Sequence, residues 1–339
     1  MAGDLARVRG TTPPALTAAG VHVRSGSTPS STGAVLLDGV DLTVRGGEVL
    51  AVVGRRGAGT STLLSVLSGR AQPTRGAVHV LGHDPAAGVD DAVATLPSHA
   101  ALFDHLSVEE TLSLWASLAA GLRSRPRVAT DELLDLAGLG TSRRELVRSL
   151  DHGARQRLQL AVSFAGGTPV VVCDEPAGGS APGTAPALAA LLRRHRADGG
   201  TAVVAGGRPE VLDTADGREL LAACDRVGVL RRGRLVALAS AAELVDRYAA
   251  HGGVTALVAD AGEASSLAAT LPGATFQRVG GHTRVDVPDV AADRWRAATV
   301  GLRTLVQVHH HEATLADAVR RATADRRVDV RPADTQCRP

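Results

Sequence analysis

Residues 49–62 read VLAVVGRRGAGTST. Val49–Val53 is an unbroken apolar run, the pattern of a strand buried on both faces. It opens into three glycines at Gly54, Gly57 and Gly59, and Leu63-Leu64-x-x-Leu67 then continues as the apolar face of a helix. A strand, glycine loop and helix in that order form an anion cradle. Loop amides and the helix N-terminus point at phosphate oxygens, and the helix dipole adds to the attraction. The usual phosphate loop is G-x-x-x-x-G-K-[ST], with lysine on the outer phosphates and the hydroxyl on magnesium. Here Ser61 stands at the magnesium position and Thr60 at the lysine position. All 37 basic residues are arginine, so no shift of register supplies a lysine. A plain strand-to-helix turn explains the glycines equally well at this point.

Working outward, Val35, Leu37 and Val40-x-Leu42-x-Val44 alternate as strands of an antiparallel sheet. Residues 1–33 are rich in Gly, Ser, Thr and Pro and read as a loose leader, apart from a strand candidate at Val21–Arg24. Residues 83–165 read as mostly helical, for example Val108–Ala120 and Glu132–Leu139. A second buried run, Val170–Cys173, leads into Asp174-Glu175-Pro176. A helix at Pro186–Arg196 and strands at Ala202–Ala205 and Val227–Leu230 follow. Strands alternating with helices predict a mostly parallel α/β sheet with its loops at the strands' carboxyl ends. From Val254 the predicted order is strand 254–259, helix 263–271, strands 275–279 and 283–287, helix 290–300, strand 303–308 and helix 313–323, a small α+β module.

The chain's 339 residues suit two domains. Its longest apolar stretches (Val49–Val53, Leu112–Ala120, Pro169–Cys173) fall short of the ~18–20 residues of a membrane span. Residues 1–20 hold Pro13 and Pro14 where a secretory signal has its apolar centre. The net charge of +2, with no long basic tract, argues against dedicated nucleic-acid binding. Cys173, Cys224 and Cys337 lack the spacing of a disulfide framework or zinc site, which fits a reducing cytoplasm. Consecutive strand residues face alternate ways, so His309-His310-His311 reads as a surface cluster and not a metal site. Trp115, Trp295 and Tyr248 read as packing residues, and Cys173 as a small apolar side chain.

The stretch Val35–Pro85 closely resembles the start of an ATP-binding-cassette nucleotide-binding domain. The resemblance continues through Leu106-Ser107-Val108-Glu109-Glu110-Thr111-Leu112, Ser149-Leu150 before Arg155-Gln156-Arg157-Leu158, Val170–Pro176, Cys224-Asp225-Arg226-Val227 and Arg232-Gly233-Arg234-Leu235, in family order and spacing. The end of the module, Ala313-Thr314-Leu315-Ala316-Asp317-Ala318-Val319, is similar to the extension of drug-exporter-type ATP-binding subunits. The resemblance implies an α/β P-loop NTPase core with antiparallel β and helical subdomains, plus the small C-terminal α+β module. The expected divisions are a disordered leader 1–19, a nucleotide-binding domain 20–245 with its helical subdomain at about 85–165, an accessory domain 254–324 and a disordered tail 325–339.

The same resemblance assigns duties and exposes departures. Gly54, Arg55, Arg56, Gly57, Ala58, Gly59, Thr60, Ser61 and Thr62 would cradle the phosphates of ATP. Ser61 and Asp174 would hold Mg²⁺, and Glu175 would be the base that polarises water. The family's loop lysine is Thr60. Its magnesium-sensing glutamine falls at Ser98, and its signature reads Leu150-Asp151-His152-Gly153-Ala154. The aspartate that communicates across the dimer is Ala181, and the switch histidine is Gly207, with His195 and His251 too far off to replace it. No aromatic precedes Phe103 to stack on adenine. Asp151 would set a carboxylate against a phosphate. In a homodimer both shared sites would carry these defects; with an intact partner each site would still carry one. Arg55 and Arg56 either reach phosphate in place of the lysine or are solvated loop arginines.

The resemblance therefore implies an ATP-binding subunit of an exporter. It would lie on the inner face of the membrane through a separately encoded permease, with a second cassette subunit as partner, and its ATP and Mg²⁺ binding would be weakened. Three readings stay open: a degenerate structural or regulatory cassette, a weak ATPase powering export of a drug-like or lipid substrate, and a scaffold or regulator detached from transport.

Overall fold

The structure is a computed structural model, described here for residues 13–26, 33–85, 92–96, 102–120, 128–174, 181, 183–205, 209–249, 252–287 and 290–324. Its centre is a six-stranded sheet. The strands are β3 (Val49–Gly54), β5 (Val93–Leu96), β6 (Val170–Cys173), β7 (Thr201–Ala205), β8 (Arg226–Arg231) and β9 (Arg234–Ala239), in the order β5-β6-β7-β3-β8-β9. All neighbours are parallel except β8 and β9. Every residue of β3, β6 and β7 is buried, which is why these strands read as continuous apolar runs rather than as alternations.

A three-stranded antiparallel sheet, β2-β1-β4, lies beside it, with β1 at Pro14–Arg24, β2 at Val35–Arg45 and β4 at Arg75–Val80. Helix α1 (Thr60–Leu67) buries Leu63, Leu64, Val66 and Leu67 in one core with Leu16, Val21, Leu37, Val40 and Val44 of this sheet and Leu50 and Val52 of β3. The strand β1 corrects the leader reading. It starts at Pro14, because Leu16 and Ala18 pair with Val44 and Leu42 on one side and with Val80 and Val78 on the other. The bend at Gly20 (φ 54°) hid the continuity of the two halves.

The central sheet's other face carries α2 (Val108–Ala120), α3 (Thr130–Leu136), α4 (His152–Ala165) and α5 (Thr184–Ala197), which share a core around Leu112, Leu133, Leu158, Phe164 and Leu188. A reciprocal cap starts α2: Ser107 Oγ accepts the Glu110 amide at 3.2 Å, and Glu110 accepts the Ser107 amide at 2.8 Å. The Ser107 amide and hydroxyl, each donating to Glu110 Oε2 at 2.8 Å, hold that carboxyl below its usual range. Within the region expected to be helical, Val93–Leu96 is instead a strand paired with β6; four residues are too few to show a period.

Helices α6 (Pro209–Leu212), α7 (Ala215–Ala222) and α8 (Ala241–Tyr248) complete this body. The C-terminal module follows as β10 (Val254–Val258), α9 (Ala261–Thr270), β11 (Thr275–Val279), β12 (His282–Val287), α10 (Ala292–Thr299) and β13 (Leu305–His310). Its antiparallel sheet has the order β11-β12-β10-β13, the split βαβ arrangement of ferredoxin-like folds. Val254, Ala256, Val258, Leu267, Val285 and Trp295 form its core. The last helix, α11 (Leu315–Ala324), does not join that core. Leu315, Ala316, Ala318, Val319 and Ala322 pack with Ala51 and Val53 of β3, Val227 and Val229 of β8, and Leu244 of α8. The module as expected over 254–324 therefore gives up its final helix to the central sheet. Among the described residues no helix is long and apolar enough to cross a membrane.

Candidate functional site

The carboxyl end of β3 delivers Gly54 into a loop whose shape depends on glycine. A Cβ at Gly54 would lie 2.7 Å from Ala58 Cβ and 2.8 Å from the Leu230 carbonyl oxygen. Gly57 and Gly59 have φ of 79° and 104°, in the region that side chains rarely adopt. A Cβ at Gly59 would also strike the Leu36 carbonyl oxygen at 2.7 Å. The Ala58 amide donates to Arg55 O, and the Ala58 carbonyl accepts the Gly233 amide, both at 2.8 Å. The turn between β8 and β9, with Arg232 and Gly233 at φ 49° and 78°, thus clamps the loop.

Gly59 is the N-cap of α1 and provides no side-chain hydrogen bond to the first turn. The first-turn amides of Thr60, Ser61 and Thr62 stand where a cap would otherwise serve them. Arg55, Arg56, Gly57 and Ser61 are exposed, Thr60 and Thr62 are half-buried and Ala58 is buried. The arrangement is a backbone cradle with exposed guanidinium groups at its rim and a hydroxyl where the lysine pattern would put an ammonium.

Ser61 Oγ donates to Asp174 Oδ1 at 3.1 Å. Residues 113 positions apart thus place a hydroxyl and a carboxylate side by side, the hard oxygen donors that suit Mg²⁺. The donor set fits that ion, and the loop amides fit a polyphosphate. Thr60 leaves the outer phosphates without a cation from the helix.

Leu150 precedes α4, and Asp151 is that helix's N-cap. Its Oδ1 accepts the Ala154 amide at 2.6 Å. From sequence Asp151 is a carboxylate facing a ligand; in the structure it satisfies the helix it begins. The helix start is buried at Gly153 and Ala154 and exposed at His152. Asp151→Ala is expected to lower stability by about 1 kcal/mol while Asp151→Ser stays near neutral, read as the shift of the urea midpoint. Gln156, to which the sequence assigns no role, accepts the Ala181 amide and the Thr184 hydroxyl through Oε1, each at 3.4 Å. Its signal was its place inside Arg155-Gln156-Arg157. A Cβ at Gly153 would meet Ala181 Cβ at 3.0 Å, so the α4 start and Ala181 lie in contact.

Ser98, Glu175 and Gly207 lie outside the described residues. Cys173 is fully buried and its thiol is pushed up to about 12 by burial, so it packs and does not react. The three consecutive histidines have separate surroundings. His309 Nε2 meets Gln307, His310 packs edge-on to Trp295, and His311 Nε2 meets the Thr255 hydroxyl. Trp295 is buried, and Trp115 and Tyr248 are half-buried against apolar clusters.

The ABC transporter family profile matches residues 37–178. The daunorubicin resistance ATP-binding protein DrrA3 of Streptomyces coeruleorubidus is 35% identical over 244 residues, covering 70% of this chain and 73% of that protein. ATP-binding cassette sub-family A member 2 of Homo sapiens is 30% identical over 204 residues, covering 59% of this chain. The match spans only 8% of the length of that human protein and of its Rattus norvegicus counterpart. Among solved structures, the ATP-binding subunit of an ABC transporter superimposes with a TM-score of 0.54 at 24% identity, covering 69% of this chain and 92% of that one. A dimeric ATP-binding cassette in a post-hydrolysis state with ADP and Pi gives 0.53 at 20% identity, covering 66% and 98%. These two likenesses concern the fold.

Proposed function

The chain belongs to the ABC transporter family as an ATP-binding subunit, and we propose that it is a degenerate cassette, holding Mg²⁺–ATP weakly and serving a structural or regulatory part in an exporter. The observation that carries this reading is a phosphate loop with its backbone shape intact and Thr60 at the head of α1 in a chain without lysine. A backbone cradle recognises phosphate, but the developing charge of phosphoryl transfer is stabilised mainly by cations. Asp151 adds to the deficit, since its carboxylate already occupies the α4 amide end where a partner's bound phosphate would approach.

In this reading Gly54–Thr62 hold the phosphates, Ser61 and Asp174 hold the metal, and Glu175 keeps the place of the base. Ser98, Ala181 and Gly207 are the lost contacts. ATP and its Mg²⁺ are the ligands, and the metal when bound would polarise the phosphates. The partners are a separate permease, met by the helical arm at about 85–165, and a second cassette of the same or another kind. The chain would sit at the inner face of the membrane through that permease. No nucleic acid is involved.

The contact between Ser61 and Asp174 favours a second reading, a slow but real ATPase. Titration of the purified chain with ATP, with and without Mg²⁺, together with phosphate release, decides between them. The degenerate cassette predicts weak, Mg²⁺-assisted binding and phosphate release that Glu175→Gln leaves unchanged. Release abolished by Glu175→Gln establishes the slow enzyme. Replacing Arg55 and Arg56 together with alanine shows whether they stand in for the lysine: weaker binding assigns them to phosphate, and unchanged binding returns them to solvent.

A further inference from the structure

The sheet of the C-terminal module ends in two edges that differ in kind. At one edge, β13 carries a bulge. Leu257 pairs with Gln307 and Val258 with Leu305, so Val306 is an extra residue, a device that twists an edge away from further pairing. At the other, β11 runs in unbroken register with β12 through five pairs, from Thr275–Asp286 to Val279–His282. All five β11 residues are exposed, with Phe276 at 59% and Val279 at 49%. It holds no proline and one charge, Arg278, with no ion pair among the described residues. An edge of that kind is a template for another strand.

The sequence of β11, Thr275-Phe276-Gln277-Arg278-Val279, complements itself about its centre. Two copies related by a two-fold axis at Gln277 would run antiparallel, with Phe276 opposite Arg278 of the other copy and Thr275 opposite Val279. Phe276 and Arg278 lie on the same side of the sheet, since they pair with Val285 and Thr283, both buried. The exposed ring would thus receive the guanidinium of the other copy, twice. The backbone agrees. A two-residue turn, Gly280-Gly281, links β11 to β12, and such a turn closes on a hydrogen-bonded pair, here Val279 and His282. Alternation along the ladder then aims the amides and carbonyls of Phe276 and Arg278 outward. These four groups on each strand are the ones that the two-fold arrangement joins, in four hydrogen bonds.

We propose that β11 is the seam of a nucleotide-independent homodimer in which two modules form one continuous sheet. A two-fold contact closes on itself, whereas β11 laid on β13 of another copy would propagate as a filament; the bulge guards against the second outcome.

Sedimentation velocity of the full chain without nucleotide tests this. The expected species has twice the monomer mass of 34.6 kDa. Arg278→Pro places a proline where the amide points away from β12, which an edge strand tolerates. It is expected to raise the dimer dissociation constant at least tenfold with an unchanged circular dichroism spectrum. Gln277 faces its own copy at a non-hydrogen-bonded position with Cα atoms about 4.5 Å apart, within disulfide reach. Gln277→Cys in a Cys337→Ser background is therefore expected to cross-link on mild oxidation, and to stop doing so when Arg278→Pro is added. A monomer without nucleotide, a dimer that survives Arg278→Pro and gives no cross-link, or growth into filaments each overturns the proposal. Should Arg278→Pro fail to fold, the cross-link alone decides.

Discussion

Thr60→Lys is expected to tighten Mg²⁺–ATP binding by about tenfold to a hundredfold. A cation 4 Å from one phosphate charge gains ~1 kcal/mol in water and ~4 kcal/mol at an effective dielectric of 20. Thr60 is half-buried at the head of α1, so a value between these limits applies, and a factor of ten corresponds to ~1.4 kcal/mol. The loop is ready for the change. Its glycines, the clamp from Gly233 and the uncapped first turn are all set by backbone geometry that the substitution leaves alone. Calorimetric titration at low and at physiological salt is the measurement, and the gain should shrink as salt rises. If Arg55 and Arg56 already supply the cation, the gain falls below threefold, so the experiment also reports on them. Faster turnover is not expected from this change alone, because Asp151 still occupies the start of α4.

Where one interaction dominates, the sequence alone was enough to read the structure. The apolar runs of β3, β6 and β7 are short and rich in β-branched valine, which marks them as strands covered on both faces, and the glycine spacing after β3 suits a tight loop. The alternating elements of the C-terminal module also read correctly, to within a few residues at their ends. Asp151 shows the limit. Its charge was legible, but whether it meets a ligand or its own helix depends on where the backbone begins to turn, which three residues of spacing to Ala154 suggest and do not prove. The β1 strand hid behind Pro13, Pro14 and Gly20, local features that argue for a loop until the pairing with β2 and β4 outweighs them. For α11 the spacing of Leu315, Val319 and Ala322 announces a buried face, yet nothing in the spacing names the surface that receives it.

That surface is the basis of the second large effect. Ending the chain after Glu312 is expected to lower the stability of the nucleotide-binding body by about 4–6 kcal/mol, although the residues removed follow the module in sequence. Leu315 and Val319 are buried, at ~1.5–3 kcal/mol each, and Ala316, Ala318 and Ala322 add ~0.8 kcal/mol per methyl. The upper sum is about 8 kcal/mol before the discount for a compact unfolded chain. Against a typical total of ~5–15 kcal/mol, such a loss leaves the body marginal. The cause is direct: without α11, Ala51 and Val53 of β3 and Val229 of β8 lose the apolar cover that lets the strand bearing the phosphate loop run hydrophobic on both faces. Val319→Asp should act similarly, by forcing an unpaired charge into the same core. Trp295→Ala supplies the contrast, since Trp295 belongs to the module's own core. It should cost ~3–5 kcal/mol there and leave the melting of the nucleotide-binding body in place. Urea unfolding distinguishes the two: the truncated chain is followed separately through Trp115, in the helical core, and Trp295, in the module, and Trp295→Ala through Trp115 alone. If truncation after Glu312 moves only the Trp295 transition, α11 is part of the module and its packing on β3 and β8 carries no stability.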